Sequence, residues 1–158
     1  YTQHRTSIPW LGLVIHNEMA QVAALSELKD LGGLLITGDE LRVKTKPGDA
    51  IPDFVIEDGE STTWYELERT KKYRERLAQQ LAQRNEALRR HEFDRMIWVC
   101  GSEGVMNHVA EALEQKRVVN VLRRGDGRLC ADLSCEGWDP KRLRDVTEFR
   151  LFQELIVE

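Results

Sequence analysis

Hydrophobic residues recur along this chain with two periods, and the switches between them outline the fold. From about Pro9 to Lys29, Leu11, Ile15, Val22 and Leu25 follow the 3.6-residue period of a helix, with Val14 and Met19 on the flanks. At 100° per residue Glu18 falls in the middle of that stripe, and His16 falls well off it. Gly32-Gly33 ends the segment. Leu34 to Thr37 and Leu41 to Lys44 read as short strands around a turn at Gly38-Asp39, and Lys46 to Asp49 as a loop. Ile51 to Glu57 and Thr63 to Glu68 read as two further strands, separated by Asp58-Gly59, a dipeptide that favours tight hairpins.

A helical pattern returns from Arg69 to about His91, with Tyr73, Leu77, Leu81 and Leu88 on one stripe. Asp94 to Cys100 is a buried-looking strand closed by Gly101. Ser102 is placed to cap a helix from Glu103 to about Lys116, and Arg117 to Leu122 is a further strand. Gly125-Asp126-Gly127 is a turn, Arg128 to Leu133 a peripheral strand, and Asp139-Pro140 the start of a helix. Lys141 to Glu158 is predicted helical, although Thr147 to Ile156 also alternates like a strand. The order of elements predicts one α/β domain over residues 1–158, with a mixed central sheet flanked by helices. Its core spans about residues 9–122, and peripheral elements occupy 123–158.

Composition changes the picture in one respect. The chain has 158 residues, 32% of them charged, and a net charge of −4. The segment Arg69 to Arg90 holds eight basic residues against two acids. Such asymmetry suggests a face built for an anionic partner. Cys100, Cys130 and Cys135 form no CxxC pair and have no His at zinc-ligand spacing, so they are expected to be free thiols in a cytoplasmic, reducing setting. No apolar run reaches the length of a membrane span. The chain opens at Tyr1 without Met, and the expectation is a domain excised from a longer protein with an upstream domain missing.

The candidate chemistry lies between Ile51 and Lys72. Asp53, Glu66 and Glu68 sit on predicted strands, where Asp and Glu are disfavoured. In period-2 terms Asp53 and Val55 share one face, as do Trp64, Glu66 and Glu68. A two-residue turn at Asp58-Gly59 pairs Asp53 with Trp64, and a four-residue loop pairs it with Glu66. Either register brings Asp53 within reach of the same ion as Glu66. Carboxylates so placed suit a hard divalent cation, Mg²⁺ or Mn²⁺. Glu18 is a further candidate ligand, because a carboxylate on an inward face is costly unless it ligates a metal, pairs with a base or reaches out at the sheet's rim. Lys71, Lys72 and Arg74 lie nearest the acids and are candidate phosphate contacts, with Arg84, Arg89 and Arg90 more distal. Tyr65 and Tyr73 are candidate nucleophiles, with core packing the competing role. Trp64 is placed to stack a base or to pack, and the four His show no ligand spacing.

Pro52-Asp53 followed by Glu66-Leu67-Glu68 resembles the motif of the PD-(D/E)xK nuclease superfamily, the restriction-endonuclease-like fold, with Glu18 in the position of the first-helix acid. The resemblance covers roughly Leu11 to Leu122. Glu68 stands where that family usually has Lys, a departure known among restriction enzymes. Glu68 is then a general base or a further ligand, and Lys71 or Lys72 supplies the positive charge. Pro52-Asp53, Glu66 to Thr70 and Lys72-Tyr73 are also similar to the replication-relaxation family and the MobC-type relaxases of mobilisable plasmids. These resemblances imply a metal-dependent endonuclease or nickase. Its catalytic residues are Asp53, Glu66, Glu68, Lys71 and Lys72, and its Mg²⁺ ligands are Glu18, Asp53, Glu66 and Glu68. Arg69, Lys71, Lys72 and Arg74 take DNA phosphate. The implied partners are plasmid or mobile-element DNA, an upstream winged-helix domain, accessory relaxosome proteins and a second copy of the chain. The alternative is the same fold with a decayed site, holding DNA in a replication or mobilisation complex. A third reading makes the acids surface charge and the basic segment a protein-binding face.

Overall fold

Five strands form one mixed sheet, described in a computed structural model that covers residues 2–44 and 50–156, with side chains undescribed at 2–11, 31, 43 and 44. The elements in chain order are α1 (Thr2–Leu31), β1 (Leu34–Thr37), α2 (Gly38–Lys44), β2 (Phe54–Asp58), β3 (Ser61–Glu68), α3 (Arg74–Arg89), β4 (Arg95–Cys100), α4 (Glu103–Glu114), β5 (Val121–Arg123), β6 (Leu129–Ala131), α5 (Lys141–Asp145), β7 (Thr147–Leu151) and α6 (Phe152–Leu155). The sheet order is β1-β2-β3-β4-β7. β1 pairs with β2 and β2 with β3 antiparallel, whereas β4 is parallel to both β3 and β7.

The hairpin of β2 and β3 takes the register that opposes Asp53 and Glu66. Phe54 pairs with Tyr65, Val55 with Trp64, and Asp58 with Ser61. The ladder therefore runs two residues further than a four-residue loop allows, and the turn is Gly59-Glu60, not Asp58-Gly59. Gly59 has φ +58° and Glu60 does not share that sign, the pattern of a type II′ turn with glycine first. The alternation along both strands is as predicted. Val55 and Trp64 enter one core with Leu77, Leu81, Met96 and Trp98, beneath α3 and α4. Phe54, Ile56, Tyr65 and Leu67 enter the other, with Ile97, Val99 and the alanines of α1.

α1 presents a different face from the predicted one. Ala23 and Ala24 are buried, as is Glu27, while Ile15, Val22 and Leu25 point to solvent. Leu11 lies outside the described side chains. Small side chains let the helix lie close on the sheet, so size decided the inward face over hydrophobicity. Buried Glu27 accepts hydrogen bonds from Tyr65 Oη at 3.2 Å and from Arg150 Nε at 3.2 Å, which offsets its desolvation.

Further expectations are corrected. Leu41 to Lys44 belongs to helix α2, not a strand; Asp39 and Glu40 in its first turn suit a helix N-terminus. The basic helix begins at Arg74 rather than Arg69. Tyr73 thus precedes it and is exposed, outside the apolar stripe that Leu77, Leu81 and Leu88 do form. Arg117 to Leu122 does not join the sheet. Val121 to Arg123 pairs instead with β6 in a small two-stranded ribbon. The edge place beside β4 belongs to β7, from the tail predicted helical, so the sheet extends well beyond residue 122. Ser102 caps α4 as expected, accepting from the Val105 N–H at 3.2 Å.

Candidate functional site

Asp53 lies immediately before β2, and Glu66 and Glu68 close the C-terminal half of β3. The pleat puts both glutamates on the α3 side with Trp64, and both are buried. Three acids therefore gather at one end of the sheet, and each meets hydrogen-bond donors, with Gln80 shared by two of them. Arg84, one helical turn beyond Leu81, directs Nε (2.9 Å) and Nη2 to Glu66 Oε1. Gln80 Nε2 donates to Glu66 Oε2 at 3.2 Å and to Glu68 Oε1 at 3.0 Å. Lys72 forms an ion pair with Glu68 Oε1, and its Nζ also donates to Gln80 Oε1 at 2.9 Å. Asp53 Oδ2 accepts the backbone N–H of Leu67 at 2.7 Å, and Oδ1 accepts from His16 Nε2 at 2.7 Å.

Burial pushes the Glu66 carboxyl up to about 7, and the charges of Asp53 and Glu68 add to that; Arg84 opposes the rise without cancelling it. The hydrogen bond to Asp53 raises the His16 pKa above its usual value, against the effect of burial. His16 thus contributes stability that is fully present below its unfolded pKa and is lost as pH rises through the folded one. NMR titration of the imidazole is expected to give a pKa above 6.5 that drops in Asp53→Asn. A value unmoved by that substitution breaks the assignment.

The structure brings together Asp53, Glu66, Glu68 and Lys72, and leaves out Glu18. That residue is exposed on the outer side of α1, because the inward face runs through His16, Ala20, Ala23 and Glu27. His16 meets Asp53 where a first-helix acid was expected. Lys72 is held inside the site, so it is not a free phosphate contact. Arg84, expected to be distal and solvating, is buried on Glu66. Sequence reasoning missed His16, Gln80 and Arg84. Arg84 carried a signal, since it continues the stripe of Leu77, Leu81 and Leu88 at helical spacing. Trp64 packs on Phe93 with centroids 4.7 Å apart, and Tyr65 is buried against Phe54, so neither faces a ligand. Lys71 is exposed and lies against Gly104 in the first turn of α4.

Carboxylates are suitable donors for a hard cation, but these are turned toward Arg84, Lys72, Gln80 and His16. Among the described residues no group of three or more His, Cys, Asp and Glu side chains is arranged to hold a metal ion. The residues as placed do not fit Mg²⁺. A groove of about 390 Å³ beside α3 is lined by Gln79, Gln83, Glu86 and Asn120, not by the acids.

Outside the acidic cluster stand cations of the opposite kind. Arg69, Lys71, Arg74 and Arg76 flank the site and make no ion pair among the described residues. Arg89 and Arg90, further along α3, are both paired with Glu86. Among the described residues no helix is long and apolar enough to cross a membrane. Comparison with family models, curated proteins and solved structures finds no match to this chain.

Proposed function

We propose that this chain is a nuclease-fold DNA-binding module of a replication or mobilisation complex, its acidic site neutralised from within. The observation that carries the reading is the division of the cations. Arg84 and Lys72 are consumed by Glu66 and Glu68, whereas Arg69, Lys71, Arg74 and Arg76 stand unpaired beside them. Internal pairing removes the negative field that otherwise repels phosphate, and the flanking cations attract it. Support for the nuclease-like core is the order of helix, strand, Asp53-bearing hairpin, basic helix and strand. In this reading Asp53, Glu66 and Glu68 hold architecture rather than catalyse.

A second reading, a Mg²⁺-dependent endonuclease or nickase, draws on the register that opposes Asp53 to the position of Glu66 and on the Lys72 ammonium beside Glu68. It requires Arg84 and Lys72 to yield Glu66 and Glu68 to the metal. One experiment separates the two. Supercoiled plasmid and a labelled duplex are incubated with the protein in EDTA, Mg²⁺ or Mn²⁺. The binding module retains the duplex without any metal and leaves the plasmid closed in all three. Nicking that needs the metal and disappears in Asp53→Ala and Glu66→Ala establishes the enzyme instead.

A further inference from the structure

α1 has two apolar faces on opposite sides, and the sheet occupies only one. The inner face runs through Ala20, Ala23, Ala24 and Glu27. The outer face runs through Ile15, Glu18, Val22, Leu25 and Lys29, alternately three and four residues apart, the a/d spacing of a helix that packs on another helix. Ile15, Val22 and Leu25 are 40%, 41% and 64% exposed. Among the described residues none folds back over them.

The two charges on this seam specify what does. We propose that α1 pairs antiparallel with α1 of a second copy of this chain, about a two-fold axis between Ala23 and Ala24. Val22 of one copy then meets Leu25 of the other, and Glu18 of one meets Lys29 of the other. Each apolar contact and each ion pair occurs twice, as an isologous interface requires. Both Glu18 and Lys29 are exposed and have no ion-pair partner among the described residues, so both are free to reach across. Ile15 of one copy falls at the C-terminal end of the other's α1, beside Leu34, itself 62% exposed. Parallel pairing in register instead opposes Glu18 to Glu18 and Lys29 to Lys29, which charge repulsion disfavours. The proposal does not depend on the DNA-binding reading, since it uses the face of α1 that points away from Asp53.

Sedimentation velocity of the full chain across a concentration range tests it. A reversible monomer–dimer equilibrium is expected. Val22→Glu combined with Leu25→Glu gives a monomer, with a circular dichroism spectrum like the parent's because both positions are exposed in the single chain, and with a melting temperature that no longer rises with concentration. Glu18→Lys or Lys29→Glu alone weakens the dimer about tenfold or more, since each breaks both symmetric pairs. The doubly reversed Glu18→Lys/Lys29→Glu variant restores it to within about threefold. A chain that stays monomeric throughout overturns the proposal. So does a dimer indifferent to Val22→Glu/Leu25→Glu, or a double reversal that fails to recover what the single reversals lose.

Discussion

Arg84→Ala is expected to destabilise the fold by about 3–5 kcal/mol at pH 8, the range for removing one partner of a buried ion pair. The arginine is itself buried, and two of its nitrogens serve one oxygen of Glu66. Removing it leaves a carboxylate whose one remaining hydrogen bond among the described residues comes from Gln80. The sign of the pH dependence follows from Glu66. Its folded pKa of about 7 lies above the ordinary 4.5, so between those values the native state holds the proton that the unfolded chain releases. Stability from this group therefore falls as pH rises through that window. Without Arg84 the carboxyl rises further, and the variant loses more stability at pH 8 than at pH 5. Urea unfolding at both values measures it. An equal loss at both, or a loss under about 1 kcal/mol, contradicts the buried pair. Arg84→Met with Glu66→Gln removes both charges together and is expected to recover most of the loss.

Replacing Arg69, Lys71, Arg74 and Arg76 with Gln is expected to flatten the salt dependence of DNA binding. Each phosphate neutralised on duplex DNA contributes about −0.9 to the slope of log affinity against log salt. Four contacts give a slope near −3.6, roughly a hundredfold weakening between 50 and 200 mM salt. The fourfold variant loses that dependence along with most of the affinity at low salt. Anisotropy titrations on two unrelated duplexes read both quantities. All four side chains stand outside the buried cluster, so the variant should keep the parent's melting temperature. An unchanged slope with the fold intact moves the DNA-binding face elsewhere, with Arg123, Arg124 and Arg128 of the exposed β5–β6 ribbon the next place to look.

The parts of this fold that the sequence made legible are those decided locally. The β2–β3 hairpin is one. Alternation over a dozen residues and one glycine turn put Asp53 on the face of Glu66 with two registers open, and the structure takes the one that opposes them, with the turn moved by one position. Ser102 is another, since a cap acts within three residues. The parts that were not legible depend on distant partners. Thr147 to Leu151 becomes a strand because β4, some fifty residues earlier, offers an open parallel edge. The local alternation of Thr147 to Ile156 allowed a strand as well as a helix, and only the distant edge decides between them. α1 misled for a different reason. Its largest apolar residues mark the face that the sheet does not use, so the inward position of His16 could not be read from periodicity. Arg84 was legible and was passed over. A charge on an apolar stripe raised the same question there as at Glu18, and at Arg84 the inward answer applies.

The place of β7 sets where this chain can be cut. With β7 in place, β4 is paired on both sides and Met96 to Cys100 is fully enclosed. A fragment ending near Leu122 keeps Asp53, Glu66, Glu68 and every basic residue beside them, yet uncovers one whole edge of β4. That edge carries the run Met-Ile-Trp-Val-Cys with a single charge, Arg95, at its start. Unpaired strand edges of such composition recruit other chains. β7, the last strand among the described residues, is thus the one that keeps the centre of the sheet from being shared between molecules.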